Sequence, residues 1–552
     1  MNRVFRSSHA VSLGVLAISA AALVSACTLA VKGTDDDGQG GQGGQAGGAA
    51  SPCTPGTKRD CYTGPSGTIG KGVCVGGTQT CNQDGLGFGE CVGEVVPRAE
   101  NCTTADLDED CDGEALGCAG DPVKVVSAGA GADDTSEVGF GVATDGATHV
   151  VVGVKGSGVT SFVVNDGEFY MAKYDESLNV VWPKSYPSSG GHAVGRAVAL
   201  DAMGNIVVAG EFKGSLTIEG TTLESGGNID VFVAKFTPDG ALLWAKDYGD
   251  DDNHQVAYGV AVNEAGEVFV TGYFDGSIDF GKGELTADGR DVFVAKIGPD
   301  GDGAGADKWA KQLGGSDSQI GWGIAAGLPD GSVVVTGDFE AELDYGGGTL
   351  PGAGGHDVFV VNLSGIDGNT LWQKSFGDGA HQYAYGVTVG ANGHVAVVGQ
   401  FWGKIDAGGG VTLDALSGSD AFVIDLAADG TLRWAKAFGD SGDEHCESVA
   451  MDGSGQVLML GHFDGFLPLG SATLQSEGKN DIYVAKLAAS DGTPVWSHSF
   501  GNANEQRGWS VAVDPKGNTL ATGAFEGTVN FEPGGSVTSG GKYDLFLLEL
   551  AP

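Results

Sequence analysis

The 552 residues of this chain suffice for more than one domain and for a large buried core. The formal net charge of −43 at pH 7, with no basic stripe, excludes a nucleic-acid partner, because negative side chains repel phosphate. The hydrophobic fraction of 41% excludes a disordered chain, and 99 glycines among short β-branched runs predict an all-β fold with many tight turns.

The first 26 residues have the features of a secretory signal peptide. Arg3 and Arg6 precede an apolar run from residue 10 to residue 24 that is too short to span a bilayer stably. The sequence LVSAC, which ends at Cys27, resembles a bacterial lipobox. The resemblance implies cleavage before Cys27 and lipidation of its thiol, and Thr28 in place of aspartate implies sorting to the outer membrane. An ordinary signal peptide that happens to contain cysteine is the alternative.

Residues 27–52 form the predicted lipidated tether. The stretch GTDDDGQGGQGGQAGG has no apolar side chains to bury, so it is expected to behave as a flexible coil. Several acyl chains on one cysteine anchor a protein firmly, where a single chain binds only marginally. We therefore expect the membrane to be a partner through the lipid, with the folded part held away from the outer membrane at the cell surface.

Residues 53–121 are expected to form a small module that is held together by disulfides. Eight cysteines lie between residues 53 and 118, in a segment with few large apolar side chains, so cross-links must replace a hydrophobic core. Their density indicates an oxidising compartment, and their pairing stays open at this point. The predicted disulfide cysteines are Cys53, Cys61, Cys74, Cys81, Cys91, Cys102, Cys111 and Cys118.

An acidic run in the same module predicts a metal site. Alternating carboxylates in a tight loop can converge on calcium, although the EF-hand pattern is not met. The run DEDCDG, together with Pro97, Glu100 and Cys102, resembles the MopE-type metal-binding motif. That resemblance implies a metal, copper in the name-giving case, whereas hard oxygen ligands favour calcium. The alternative is an acidic, disulfide-pinned loop that binds no metal tightly. The predicted ligands are Asp106, Asp108, Asp110 and Asp112.

Residues 122–552 consist of seven copies of one unit. An aromatic residue in a short apolar run, a V-A-V-like segment and a VVVTG-like run ending in glycine each occur seven times. A tryptophan followed two residues later by a basic residue occurs six times. The runs have strand length and no helical period, so each unit predicts a four-stranded blade. The aromatic markers are Tyr170, Phe232, Phe293, Phe359, Phe422, Tyr483 and Phe546.

The fourth strand that the last unit lacks is available at the other end of the repeats. The chain ends at Pro552 before a seventh tryptophan marker, and Val123–Val126 precede the first unit. We therefore expect a seven-bladed β-propeller whose N-terminal strand completes the last blade and removes its open edge. The segments GVAVNEAGEVFVTGYF (259–274) and DVFVAK (291–296) resemble the SBBP-type β-propeller repeat, which implies this fold and leaves the ligand open.

A binding site is expected where the seven copies differ from one another, in the loop that leads into the V-A-V-like strand. If that strand is innermost, the variable side chains surround one mouth of the ring and form a concave site for a polar ligand or a peptide. The alternative is that glutamine and glutamate side chains satisfy backbone groups while aromatic side chains fill wedges between blades. The candidate binding residues are His192, His254, His381, Arg196, Glu447, Trp322, Tyr385 and Trp509.

These features favour a binding module over an enzyme. We expect a lipid-anchored monomer that binds an unknown protein, peptide or glycan, with calcium as the one expected cofactor. A quinoprotein-like or other propeller enzyme is an alternative, because DGALLW and DGTLRW resemble the docking motif of pyrroloquinoline-quinone enzymes. A periplasmic scaffold for outer-membrane assembly is another. His445 beside Cys446 is compatible with a nucleophile pair, but a buried, inert thiol is the expected state.

Overall fold

The computed structural model describes residues 53–65, 67–71, 73–97, 119–128, 135–160, 164–301, 308–540 and 542–552, and the regular structure in these ranges is all β. The chain divides into two compact units, Met1–Pro97 and Arg98–Pro552. No helix in the described ranges is long and apolar enough to cross a bilayer. The predicted signal peptide and tether lie outside the described residues, as do Cys27, Cys102, Cys111, Cys118, Asp106, Asp108, Asp110 and Asp112.

The smaller unit is a cross-linked hairpin. Strands β1 (Lys58–Cys61) and β2 (Gly77–Thr80) pair antiparallel. Disulfides join Cys53 to Cys81 and Cys61 to Cys91, and Cys74 is disulfide-bonded as well. The buried apolar side chains described in this unit are those of Cys74 and Cys81. The expectation that cross-links replace a core is confirmed for these residues.

The larger unit is a propeller of seven four-stranded blades, as expected. The first strand of each blade is innermost, and the inner strands of neighbouring blades contact one another in an unbroken cycle. Because the blades are equivalent, all inner strands start at one face of the ring, which we call the mouth. The inner strands are β4 (Ser136–Thr144), β8 (His192–Leu200), β12 (Gln255–Val262), β16 (Gln319–Ala326), β22 (Gln382–Val389), β28 (Glu444–Met451) and β34 (Gln506–Val513).

The second and third strands carry the buried layers of each blade. The second strands are β5 (Thr148–Gly156), β9 (Ile206–Ile218), β13 (Val268–Ile278), β17 (Val333–Phe339), β23 (Val395–Phe401), β29 (Val457–Phe463) and β35 (Thr519–Phe525). The third strands are β6 (Glu168–Asp175), β10 (Thr221–Phe236), β14 (Leu285–Ile297), β20 (Asp357–Leu363), β26 (Asp420–Leu426), β32 (Asp481–Leu487) and β38 (Asp544–Leu550). Both faces of these strands are covered by neighbouring blades, which explains their continuous apolar runs.

The fourth, outermost strand of blades one to six carries the tryptophan marker, and the closing strand takes this place in the last blade. They are β7 (Val180–Tyr186), β11 (Leu242–Tyr248), β15 (Trp309–Leu313), β21 (Thr370–Phe376), β27 (Leu432–Phe438), β33 (Pro494–Phe500) and, for the last blade, β3 (Pro122–Ala128). Small hairpins extend blades four to seven: β18 (Glu342–Asp344) with β19 (Thr349–Pro351), β24 (Lys404–Gly408) with β25 (Val411–Asp414), β30 (Phe466–Leu469) with β31 (Ala472–Gln475), and β36 (Thr528–Asn530) with β37 (Ser536–Thr538).

The predicted closure of the ring is confirmed. Strand β3 pairs antiparallel with β38, and Val125 lies opposite Leu548. The last blade therefore has its fourth strand from the start of the repeats and its other three from the end.

Each tryptophan marker docks onto the next blade. Its ring packs against a glycine with positive φ in the following blade's turn, so closely that a Cβ on that glycine would lie 2.4 to 3.0 Å from the indole. Four of the indoles also donate to a backbone carbonyl of that blade, as Trp372 does to Ala428 O at 2.8 Å. The ring–glycine pairs are Trp182–Gly240, Trp244–Gly301, Trp309–Gly368, Trp372–Gly430, Trp434–Gly492 and Trp496–Gly120.

Candidate ligand site on the propeller axis

Every inner strand has a β-bulge at the same position. The register between the first and second strand of each blade shifts by one residue there, and the extra residue has no partner across the ladder. A bulge redirects a side chain, here toward the axis of the ring. The bulged residues are Phe140, Arg196, Tyr258, Trp322, Tyr385, Glu447 and Trp509.

The glycine that ends each VVVTG-like run makes this bulge sterically feasible. A Cβ at this position would lie only 1.8 to 2.0 Å from the carbonyl oxygen two residues before the bulged residue. In blade six, for example, a Cβ on Gly461 would meet the oxygen of His445, two residues before Glu447. The same glycine faces the aromatic marker of the third strand across the sheet, as Gly461 faces Tyr483. The close packing around the bulge therefore accounts for two sequence markers, the VVVTG-like glycine and the aromatic residue opposite it.

The seven bulged residues line a single cavity of about 170 Å³ on the axis. All seven side chains are half-buried. Five are aromatic, one is a cation and one is an anion. The structure thus brings together five of the predicted binding residues, namely Arg196, Trp322, Tyr385, Glu447 and Trp509, and adds Phe140 and Tyr258.

The guanidinium of Arg196 is tied to a carboxylate in the second strand. Nη2 donates to Oε1 of Glu211 at 2.6 Å, and Nε donates to the same carboxylate. Burial would raise the pKa of Glu211, but the Arg196 charge and the hydrogen bonds from His192 and Arg196 lower it to about 2. The guanidinium also lies 4.7 Å from the ring centre of Phe140 and 5.7 Å from that of Tyr258. The charge of Arg196 is therefore compensated within the protein.

Trp322 begins a hydrogen-bonded chain that leads from the cavity toward the mouth. Its indole Nε1 donates to Oδ1 of Asp338 at 2.6 Å, and the other carboxylate oxygen of Asp338 pairs with Nδ1 of His356 at 2.8 Å. Nε2 of His356 lies 2.9 Å from Glu340. The hydrogen bond to Asp338 raises the pKa of His356. This arrangement holds the Trp322 ring in one orientation.

Glu447 has a different environment from Arg196. Its carboxylate is 3.5 Å from Nδ1 of His445 and 3.8 Å from Nδ1 of His462, both longer than good hydrogen bonds. Burial, together with the charges of His445 and Arg507, holds the pKa of His462 well below its usual range. Arg507 pairs with Glu505 at 2.8 Å and donates to Nε2 of His462 at 2.9 Å.

His445, Glu447 and His462 each offer one ligand atom within 4.8 Å of the others, a spacing that would allow a metal ion. Because Arg507 donates to Nε2 of His462, the proton of this neutral ring is on Nδ1, the nitrogen that faces Glu447. Metal-binding histidines usually donate their second nitrogen to a carboxylate or carbonyl, and a guanidinium cannot accept that hydrogen bond. This donor set does not fit a metal.

Sequence reasoning missed the second layer of the site. The residue directly after the VVVTG-like glycine contacts the bulged residue of its own blade: Glu211 holds Arg196, Asp338 holds Trp322, and Gln400 donates to the Tyr385 hydroxyl at 2.7 Å. The sequence could have indicated this second layer, because the position follows a glycine that is the same in all seven blades and yet carries a different residue in each. These residues are Val154, Glu211, Tyr273, Asp338, Gln400, His462 and Ala524.

The three predicted mouth histidines do not line the axial cavity. Nδ1 of His192 is 3.1 Å from the carbonyl of Val164 and its Nε2 is 3.4 Å from Glu211. His254 is half-buried before its strand. His381 is exposed and stacks on Tyr383 with ring centres 6.1 Å apart.

The glutamines that begin the inner strands are structural. Gln255, Gln382 and Gln506 are buried, and each donates to a backbone carbonyl 20 residues later in the chain. Blade six has Glu444 at this position. Burial and the charges of Asp420, Asp440 and Asp464, opposed by a hydrogen bond from the Asp440 backbone, raise the pKa of Glu444 to about 9.

Cys446 is buried, as expected. Its thiol lies 3.8 Å from the carbonyl oxygens of Ser448 and Leu460. Burial raises the pKa of this thiol to about 12, so the thiolate does not form at neutral pH. Cys446 is thus not an activated nucleophile.

No family model and no curated protein matches this chain. Among solved structures, the chain is similar to the WD40 β-propeller domain of Doa1, with a TM-score of 0.40 and 9% identity over 77% of this chain and 96% of that one. It is similar to quinohemoprotein alcohol dehydrogenase from Comamonas testosteroni (TM-score 0.36, 10% identity, 74% and 66% covered) and to BamB from Moraxella catarrhalis (0.33, 10%, 75% and 84%). Similarities this distant carry no argument about ligand or activity. The fold rests on the strand order above, and the lipobox, SBBP and MopE resemblances stay predictions.

Proposed function

We propose that this chain is a non-catalytic, lipid-anchored module of the cell envelope that binds a partner through the axial cavity. One observation carries the proposal. The same bulge places seven residues at seven equivalent positions on the axis, yet the set includes aromatic, cationic and anionic side chains. A purely architectural position, such as the VVVTG-like glycine, has the same residue in every blade.

The partner is a protein, peptide or glycan that inserts a small group into the cavity. The volume of about 170 Å³ is well below the ~300–1,000 Å³ of pockets for drug-sized ligands, so only a side chain or one sugar-sized group enters. The remaining contacts are expected at the mouth, where His381 and Tyr383 present exposed and half-buried rings.

Binding is tested by applying the labelled full-length protein to arrays of synthetic peptides and of glycans. Trp322→Ala serves as the cavity variant, and an unchanged circular dichroism spectrum verifies its fold. The proposal predicts that some peptides or glycans on the arrays bind the native protein and do not bind the variant. Identical retention of both proteins, or retention of neither, would contradict it.

The anchor is tested by metabolic labelling with a radioactive fatty acid. Native protein incorporates the label and Cys27→Ser does not. Protease treatment of intact cells then separates a surface module, which is digested, from a periplasmic scaffold, which is protected.

The enzyme alternative has one observation in its favour, the six tryptophan rings that dock on glycines of the next blade. These contacts lie on the outer strands, away from the axial cavity, and they explain blade packing without a cofactor. An absorbance spectrum recorded after incubation with pyrroloquinoline quinone and gel filtration tests this alternative. A retained quinone band would favour the enzyme.

A further inference from the structure

The two charges in the axial cavity are compensated to different degrees. Two charged side chains line it, Arg196 and Glu447. Glu211 neutralises Arg196 through a two-point ion pair, so this half of the cavity has no net charge. The two residues belong to blades two and six, which places them as far apart across the ring as seven blades allow.

Within the described ranges, Glu447 has no ion pair as close as the 2.6 Å contact between Arg196 and Glu211. Among the described residues, its ion-pair partners are the imidazoles of His445 and His462, at 3.5 and 3.8 Å. His462 is neutral at physiological pH because burial and neighbouring positive charges disfavour its protonation. The charge of Arg507 also acts on Glu447, but its ion pair is with Glu505, at 2.8 Å. A half-buried carboxylate in this state is expected to favour a cationic ligand.

Aromatic residues flank Glu447 in the ring of cavity residues. In ring order Glu447 lies between Tyr385 and Trp509, and Trp322 is 5.6 Å from Tyr385 between ring centres. Ring faces attract organic cations, most strongly when water is excluded. Carboxylate and rings together match an alkylammonium group, whose charge pairs with Glu447 and whose methylenes contact the rings.

We propose that the axial cavity binds a primary alkylammonium group, as found on a lysine side chain, with Glu447 as its counter-ion. This inference rests on the proposed binding function and specifies its ligand. The protein's net charge of −43 adds long-range attraction for basic partners. The cavity volume suits a single lysine end group rather than a folded segment.

Calorimetric titration of the full-length protein tests the proposal with a matched set of probes. Nα-acetyl-lysine methylamide and 1,5-diaminopentane carry the ammonium group, on a peptide unit and as a free amine. Nα,Nε-diacetyl-lysine methylamide has the same stem without the charge. We expect at least one amine to bind and the diacetyl compound to bind at least about tenfold more weakly, since tenfold corresponds to ~1.4 kcal/mol, the order of a charged hydrogen bond.

Two variants of one strand make the test specific. Glu447→Gln removes the proposed counter-ion and is expected to weaken amine binding at least about tenfold. Glu444→Gln makes the same substitution three residues earlier, at a buried carboxyl group outside the cavity that is already protonated at neutral pH. It removes no charge and is expected to bind the amine like native protein.

Equal binding of the diacetyl compound, unchanged amine binding by Glu447→Gln, or no heat from either amine would overturn the inference. These outcomes leave the proposed function separately testable, because array elements that depend on Trp322 would still identify the cavity as a binding site for another ligand class.

Discussion

Gly120 packs directly against the indole of Trp496, and a Cβ at residue 120 would lie 2.4 Å from Cδ2 of that ring. Gly120 lies two residues before the strand that completes the last blade, and its contact with Trp496 is equivalent to the other five tryptophan–glycine contacts between blades. The closing segment therefore reproduces both the outer strand and the docking turn of a regular blade.

Gly120→Ala is expected to destabilise the propeller by weakening its closure. Gly220→Ala is the matched control, because Gly220 has φ of 89° against 87° at Gly120 but open space around its Cβ position. Both substitutions carry the penalty of a left-handed conformation, about 1 kcal/mol or more. Only Gly120→Ala adds the collision with Trp496, so urea unfolding should show a clearly larger loss of stability for it. Equal losses would mean that the indole contact adds nothing.

Glu444→Gln is expected to stabilise the protein at neutral pH and to reduce its pH dependence. The folded-state pKa of about 9 lies above the usual 4.5, so folding favours the protonated form. The stability from this group is complete below about pH 4.5 and falls by up to ~1.4 kcal/mol per pH unit as the pH rises toward 9. Gln255, Gln382 and Gln506 show that glutamine fits this position.

Urea unfolding at pH 5 and pH 8 measures this effect. Native protein and Glu444→Gln should have similar stability at pH 5, and the variant should be more stable at pH 8. The reverse change in blade seven, Gln506→Glu, should lower stability at pH 8. The same difference in unfolding free energy between native protein and Glu444→Gln at both pH values would contradict the proposal that Glu444 is protonated in the folded state.

Gly461→Ala is expected to disrupt the bulge that presents Glu447. The new Cβ would lie 1.8 Å from the carbonyl oxygen of His445, so the first two strands of blade six must separate. Gly453→Ala is the control in the same blade, because its Cβ position is open and its φ is not in the left-handed region. Thermal unfolding should show a large loss for Gly461→Ala and little change for Gly453→Ala. Comparable midpoints would show that the bulge does not require glycine.

Arg196→Met is expected to cost about 3–5 kcal/mol, because it leaves the Glu211 carboxylate buried without its cation. Combining Arg196→Met with Glu211→Leu should restore much of that loss. In native protein the pKa of Glu211 is lowered to about 2, so this ion pair stabilises the fold above about pH 4.5 and less as the pH falls toward 2. Additive losses in the double variant, measured in urea, would contradict the pairing.

Much of the propeller could be predicted from the sequence because its features recur seven times. The number of strands, the number of blades and the closure follow from the spacing of the repeated markers and from short apolar runs. Both can be read directly along the sequence. Disulfide pairing depends on the distance between α-carbons in three dimensions, so Cys53–Cys81 and Cys61–Cys91 required the structure.

The candidate site was only partly predictable for a related physical reason. Arg196, Trp322, Tyr385, Glu447 and Trp509 stood out because they differ at one repeated position. Their direction depends on a bulge, which shifts the two-residue alternation of a strand and is invisible to a periodicity argument. The three histidines vary as well, but they precede the bulge and do not reach the cavity.

Difference electron density from crystals soaked in Nα-acetyl-lysine methylamide decides whether the axial cavity is a cation site. We predict density on the propeller axis, with the ammonium nitrogen at hydrogen-bonding distance from the Glu447 carboxylate. An axial cavity without density in crystals that hold the compound elsewhere, or density with the ammonium turned away from Glu447, would contradict the assignment.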